Sequence, residues 1–501
     1  MTSRREFLLA TAGSAIAMQS ALAESEPKPK QLKGNPYLQD IFLPVKEEVS
    51  FDNLKVIGKI PNDLRGMFVR NGPNPQFPPG ELYHLFEGDG MLHGVQFRDG
   101  KASYLNRYVR TAGWQAEHDA GKRLYPSLFD RDAIQEQLKL LLQGKFPFKN
   151  AGNTALVWHH DKLLALWEGG KPHEIRLPKL ETVGPYDFAG KLKHAFSAHP
   201  KVDPETGEML VFGYGVTPPY VQYSVINPDG TVRSTTPIEL PRAVMMHDFA
   251  ITKNYSIFLD LPYVINIAAA LVKKLPIRFA PEFGARLGVL PRYETGDKIR
   301  WFDIDPCFVF HVLNAFEQGE DEVVLLACRS EQYPEFASLT TAPKAGDAHI
   351  KSWLDKKNQA RLHRWTINLK SGTVKEEELD DTPAEMPRIH DGLAGRPTDF
   401  GYAIRQDFGE QLLKYDLRRG ETIEHKFPKG HVCTEGVFVP RSEAKSEDDG
   451  WLLSYVCRRG EDVGELAVID CRDFAGEPVS RVLIPQRVPY GFHGVWVPEV
   501  S

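Results

Sequence analysis

The sequence has no Cys-x-x-Cys pair. Its five cysteines, Cys307, Cys328, Cys433, Cys457 and Cys471, are odd in number and scattered, which speaks against a disulfide framework or a thiolate zinc site and leaves buried thiols. No block of Lys and Arg stands out and the formal net charge is -6, so there is no electrostatic reason to expect nucleic acid. No uninterrupted apolar run is long enough to span a bilayer. Ser/Gly linkers, low-complexity runs and Trp-Asp dipeptides are missing too. Their absence favours one undivided domain and excludes a WD40 array.

At 501 residues with 42% hydrophobic positions, the chain can bury a large core. Its first residues pair Arg4 and Arg5 ahead of Phe7, Leu8 and Leu9, followed by a moderately apolar stretch and the small-x-small triplet Ala21, Leu22, Ala23. This pattern looks like a twin-arginine export signal over 1–23, with a mature domain over 24–501. A periplasmic protein, loaded with metal before export, is the expectation.

Short apolar runs recur with glycine turns between them. "SVINPDGTVRSTTPIEL", "HRWTINLKSGTVKEEEL" and "LLKYDLRRGETIEHKF" each read strand, polar turn, strand. This cadence predicts antiparallel hairpins and, by its weak self-similarity, the blades of a propeller. Seven units would allot about 68 residues to each, enough for four strands with their loops. Two segments break the cadence. Residues 130–148 place Ile134, Leu138, Leu141 and Leu142 at helical spacing, and residues 264–292 are long, apolar and dotted with Lys273, Lys274, Arg278 and Arg286. Both fit either helical insertions packed over the sheet or a monotopic membrane patch with a cationic rim.

His199, His247, His311 and His493 sit in apolar or strand-like surroundings, separated by 48, 64 and 182 residues. No local metal motif spans such gaps, so a shared site must be assembled from different blades. Four imidazole nitrogens suit a divalent transition metal such as Fe(II) better than Ca or Mg, which take oxygen ligands. Metal-binding imidazoles need the other ring nitrogen held, usually by a carboxylate. Glu168, Glu385 and Glu435, each the only acid in a strand-like stretch, are the candidates.

The stretches "GMFVRNGPNPQF", "HLFEGDGMLHGVQFRDGKASYLNRYVRT", "LLALWEGG", "AHPKVDPETGEMLVFGY", "MMHDFAIT", "AEMPRI", "EGVFVP", "EDDGWLLSYV" and "GFHGVWVP" together resemble the carotenoid cleavage oxygenases. That family includes apocarotenoid oxygenases, lignostilbene dioxygenases and the retinoid isomerase of the eye. The resemblance covers nearly the whole mature chain. It implies an all-β, seven-bladed β-propeller capped by a helical dome, with one Fe(2+) per subunit on the axis and no organic cofactor. The family's four ligands fall on His199, His247, His311 and His493. Its three glutamates fall on Glu168, Glu385 and Glu435, paired with His247, His311 and His493 respectively. His84, His93, His159 and His160 match no ligand position and are expected to be structural or exposed.

The implied chemistry is attack of O2 on a conjugated C=C, split into two carbonyl products without a general acid or base. Lignostilbene-type members, by the same resemblance, carry a lysine just before the first glutamate, where this chain has Trp167. An indole there suits an apolar polyene in the substrate pocket better than a phenol. A carotenoid or apocarotenoid is the expected substrate. A stilbene or other phenylpropanoid, a non-oxidative retinoid-type reaction and a non-catalytic binding propeller are the alternatives.

Overall fold

The computed structural model describes residues 35–79, 83–127, 148–266, 269, 277–333, 355–406 and 409–499. The expected export signal over 1–23 and all but the last residue of the 130–148 segment lie outside them.

Why these strands form is visible in their burial. In Lys162–Leu166 every residue after the first is buried. Leu163 and Ala165 pack into one apolar cluster, and Leu164 and Leu166 into the next. Met209–Tyr214 repeats the pattern, with Met209 and Val211 on one side and Leu210 and Phe212 on the other. Side chains alternate across a strand, so a run that is apolar at consecutive positions fits only a sheet covered on both faces. Stacking sheets face to face around a ring meets that demand.

Seven antiparallel sheets do so. Blade 1 has the strands Gly66–Pro73, Gly90–Arg98 and Lys101–Tyr108, with Ser50–Phe51 at its outer edge. Blades 2, 3 and 4 follow over 155–185, 201–239 and 250–304, and blades 5 and 6 over 308–378 and 384–426, each with four strands in succession, interrupted only in blade 4 by a separate two-stranded ribbon. Blade 7 spans 431–484 and takes Val56–Gly58 as its outermost strand. The C-terminal strand Gly494–Pro498 returns to pair with Gly66–Pro73 as the innermost strand of blade 1. Both ends of the described chain thus close the ring. Seven apolar clusters fill the seven interfaces between neighbouring blades. Each fully buried Leu, Ile, Val or Phe there contributes about 1.5–3 kcal/mol relative to exposure.

The three hairpins singled out in the sequence are the outer strand pairs of blades 3, 5 and 6. His160 and Asp161, at φ of 49° and 54°, form the two-residue turn between the first strands of blade 2, the left-handed pair that matches hairpin twist. All five cysteines are free and buried.

The helical reading of 264–292 is corrected at 264–265, 277–279 and 285–291, while residues 267, 268 and 270–276 lie outside the described residues. Tyr263–Ile265 and Ile277–Phe279 pair as a two-stranded ribbon, and Ala285–Pro291 is a central strand of blade 4. The apolar run there reflects a strand covered on both faces rather than one face of a helix. Among the described residues the only multi-turn α-helix is Ala112–Ala120, capped by the Thr111 side chain, which accepts from the Trp114 N–H, and ended by Gly121 in the left-handed conformation. No helix among the described residues is long and apolar enough to cross a membrane.

Candidate metal centre

The innermost strands start close to the ring axis, and the four histidines stand at their beginnings. His199 lies just before Lys201–Val202, His247 before Ala250–Ile251, His311 inside Phe308–Gln318 and His493 before Gly494–Pro498. Local irregularities aim the side chains inward. The pairing of blade 5 shifts register on either side of Val312, next to His311, and that of blade 6 shifts between Glu385 and Arg388, where Met386 has a φ of 51°. Bulges of this kind turn a side chain out of the pleat. Glu435 sits in the gap between His431–Cys433 and Val437–Pro440, two segments that both pair with Gly450–Arg458.

The four ligand-capable nitrogens all lie within 4.8 Å of one another. The Nε2 atoms of His199 and His247 are 2.9 Å apart. His199 meets His493 edge-on at a centroid distance of 4.6 Å, and His311 meets His493 at 4.7 Å. Nitrogens about 2.1 Å from a shared ion are about 3 Å apart at right angles and about 4 Å apart across it. The observed spread matches a single ion after small ring movements.

Three of the rings are held from behind. His247 Nδ1 is 2.5 Å from Glu168 Oε2, His311 Nδ1 2.6 Å from Glu385 Oε2, and His493 Nδ1 2.8 Å from Glu435 Oε1. These are the three pairings that the family resemblance implied. With Nδ1–H donated to a carboxylate, each ring turns the Nε2 lone pair toward the axis. His311 Nε2 is buried without a protein partner, as expected of a nitrogen whose partner is an ion. His199 has no carboxylate among the described residues; its backbone N–H is held by Ser197 Oγ at 2.9 Å.

Electrostatics divide the rings. Burial, reinforced by the other three imidazoles and Lys201, holds the His199 pKa well below the usual value, so the ring is neutral. Burial also lowers His493, against the pull of Glu435. At His311 burial is outweighed by Glu385, with Asp248 and Glu435 adding to it, and the pKa rises. Burial would raise the Glu435 pKa, but His493, Arg388 and the Gly494 N–H bring it to about 2.

Other groups complete the cage, and the sequence did not single them out. Tyr214 donates its hydroxyl to Glu168 Oε1 at 2.6 Å. Glu385 Oε2 accepts the Met386 N–H at 2.8 Å. Glu435 Oε2 accepts from Gly494 N–H at 2.8 Å and lies 3.5 Å from Arg388 Nη1. Asp248, next to His247, takes Lys201 Nζ at 2.7 Å and the Val312 N–H at 2.8 Å, so a single buried carboxylate ties blades 3, 4 and 5 below the cluster. The available signal was an acid inside an apolar run, the same one that marked the glutamates. On one side the cluster is walled by aromatic rings. Phe310 stands edge-on to His247 at 4.8 Å, packs on Tyr333 at 4.8 Å, and is followed by Phe86 and Phe492.

The unassigned histidines have structural partners. His93 Nδ1 is 2.8 Å from the Tyr104 hydroxyl and His159 Nε2 is 2.9 Å from the Gly207 carbonyl. His84 caps the turn Leu85–Glu87 by accepting the Phe86 N–H, and His160 is exposed in its turn. Trp167, half-buried, folds back so that a Cβ at Gly169 would lie 2.6 Å from its ring, which explains the glycine that follows the Trp167–Glu168 pair.

Residues 42–498 match the family model described as retinal pigment epithelial membrane protein, RPE65. The chain belongs to this family. Within it, the chain is 40% identical over 497 residues to a carotenoid 9,10(9',10')-cleavage dioxygenase of Crocus sativus, covering 92% of this chain and 89% of that protein. Among solved structures it resembles the lignostilbene dioxygenase of Pseudomonas brassicacearum, with a TM-score of 0.82, 28% identity, and coverage of 95% of this chain and 100% of the other. Cobalt-substituted ACO of Synechocystis aligns with a TM-score of 0.79 and 27% identity, over 94% of this chain and 100% of its own. The propeller described above is therefore the fold it shares with these solved structures.

Proposed function

We propose that the chain is a non-haem Fe(II) dioxygenase that cleaves a conjugated C=C bond of a carotenoid or apocarotenoid to two carbonyl products. The observation that carries this reading is the convergence of four imidazoles, three of them backed by glutamates, beside an aromatic wall. Such an all-nitrogen donor set suits Fe(II) and leaves room at the ion for more than protein. An iron held by His199, His247, His311 and His493 would supply the dioxygen binding and electron redistribution that O2 and an alkene lack on their own. The remaining work falls to the chain. Glu168, Glu385 and Glu435 fix ring tautomer and orientation, and Phe310, Phe86 and Phe492 offer an apolar surface on which a polyene is held in one register. Trp167 is assigned to the same substrate pocket.

Loading the protein with Fe(II) without oxygen, then supplying a β-apocarotenal and separately a hydroxystilbene, tests the reading by O2 uptake and aldehyde analysis. Uptake and aldehydes with the apocarotenal are expected; a protein that takes up iron but consumes no O2 with either compound refutes it. A second reading, cleavage of an aromatic alkene, draws on the likeness to the lignostilbene dioxygenase and predicts aldehydes from the hydroxystilbene instead.

The leader-like 1–23 segment supports export by the twin-arginine route to the periplasm. Peripheral membrane contact near 264–292 draws support from the surface around Phe283, 45% exposed, with Arg242 stacked over its ring at 4.2 Å and Arg278 at 5.8 Å, an apolar tip with a cationic collar. Failure to bind anionic liposomes would count against it.

A further inference from the structure

The aromatic wall covers one side of the histidine cluster, and the other side opens on a cavity of about 360 Å³. Chain direction shows that the two are opposite. Phe310 and Phe492 come just before His311 and His493, whereas the cavity is lined by what comes after the histidines: Lys201 after His199, Ala250 after His247, Val312 and Ala315 after His311, Val495 after His493. The cavity therefore follows the innermost strands down the propeller axis, away from the aromatic side. His199, His311 and His493 form its inner end. Pro204, Asp391 and Gly392, all exposed, form its mouth.

The charged side chains along it are already engaged. Lys201 is bound to Asp248 at 2.7 Å, and Arg388 Nη2 holds both oxygens of Asp391 at 3.1 Å. Between them the inner strands present Ala250, Val312, Ala315 and Val495, and the one amide among them, Asn314, is held by the Leu393 and Arg396 carbonyls and the Gly395 N–H. A passage of this size and lining passes small neutral molecules and offers no free charge to retain an ion.

We propose that this axial cavity is the entry route for a diatomic gas, dioxygen in turnover, reaching the metal from the face opposite the substrate. The inference rests on the oxygenase reading, since only a reaction consuming O2 needs it. A polyene lying along Phe310 and Phe492 would cover the aromatic approach to the cluster, so a separate axial port lets the gas arrive after the substrate is bound.

Nitric oxide, a diatomic probe that binds ferrous iron without turnover, tests the route. Its association with the Fe(II)-loaded protein is followed by stopped-flow absorbance under anaerobic conditions, with β-apocarotenal bound. The variants Ala394→Trp and Pro204→Trp, which narrow the cavity mouth outside the seven apolar clusters, are expected to slow association fivefold or more while leaving iron content unchanged. Association at the wild-type rate in both folded variants overturns the proposal. Crystals of the metal-free protein under xenon pressure give an iron-independent reading: xenon between Ala250 and Ala315 supports the route, and an axial cavity without xenon overturns it. A protein that slows nitric oxide in the variants yet cleaves no apocarotenal would refute the substrate assignment and keep the gas route. A protein that takes up no iron would refute the oxygenase reading, and the xenon maps would decide the cavity alone.

Discussion

Replacing Glu435 with Gln probes the cage where its electrostatics are strongest. The side chain is 1% exposed, and it accepts from His493 Nδ1 and the Gly494 N–H, each at 2.8 Å, with Arg388 beside it. Its pKa of about 2, against 4.5 for the free group, means that the fold favours the ionised form by about 3 kcal/mol near neutral pH. Glutamine keeps the volume and one acceptor oxygen but removes the charge, leaving Arg388 with Asp391 and the Gly494 carbonyl. A loss of about 2–4 kcal/mol is expected in denaturant unfolding of the metal-free protein, below the full cost of a broken buried pair because the amide still accepts from Gly494. The sign with pH follows from a depressed carboxylate pKa: its stabilisation is complete above the unfolded value of 4.5 and lost as pH falls toward about 2. The difference between wild type and Glu435→Gln is therefore flat from pH 7 to about 5 and shrinks below about 4.5. Metal affinity, measured by competition with a chelator, should fall about 10–100-fold, since His493 loses the partner that fixes its tautomer. A difference that stays constant down to pH 3, or a variant that binds Fe(II) as tightly as wild type, would refute the reasoning.

Three further outcomes are expected. Asp248→Asn leaves Lys201 without its buried counter-charge and should destabilise the protein by about 2–4 kcal/mol in urea, with faster metal release because the amide can still accept the Val312 N–H but no longer ties the Lys201 strand that follows His199; unfolding at the wild-type midpoint would exclude Asp248 as the tie. Trp167→Lys, if Trp167 lines the substrate pocket, should shift the ratio of hydroxystilbene to apocarotenal turnover by about tenfold toward the phenol, the worth of one charge-assisted hydrogen bond; an unchanged ratio measured by product analysis removes Trp167 from the pocket. Replacing Arg4 and Arg5 together by Lys should leave the protein in the cytoplasm on fractionation, whereas undiminished export would rule out the twin-arginine route.

The propeller was legible because its strands carry a pattern that few other architectures tolerate. Runs such as Lys162–Leu166 and Met209–Tyr214 are apolar on both faces, and the outer hairpins of blades 3, 5 and 6 have polar faces and glycine turns. Those two features together encode sheets stacked against sheets with a wet rim. The same pattern misled at 285–291. A fully buried strand and a segment of buried helix look alike in composition, and only the register with Tyr255–Asp260 and Arg300–Ile304 separates them. Ring closure had no local signal, because Arg70 faces Gly494 across nearly the whole chain.

Of the site, the residues that carry a chemical oddity could be found, and those that respond to them could not. An imidazole or a glutamate in an apolar strand is conspicuous, since each needs a partner to be buried at all. Tyr214 and Arg388 are not conspicuous, because a tyrosine or an arginine at a strand end is ordinary, and their importance depends on a carboxylate that arrives from another blade. Tyr214 in blade 3 reaches Glu168 of blade 2, and Arg388 of blade 6 reaches Glu435 of blade 7. Glu168 and Glu435 thus each join a histidine on one blade to a second group on another, and Glu385 of blade 6 joins His311 of blade 5 to the N–H of its own neighbour Met386, so blade geometry and ring orientation are set together. A change in the packing between two blades reaches the metal through a carboxylate rather than through the histidine backbone. That ordering makes the glutamates the points where stability and metal affinity should change together, and it is why the Glu435 variant is expected to move both.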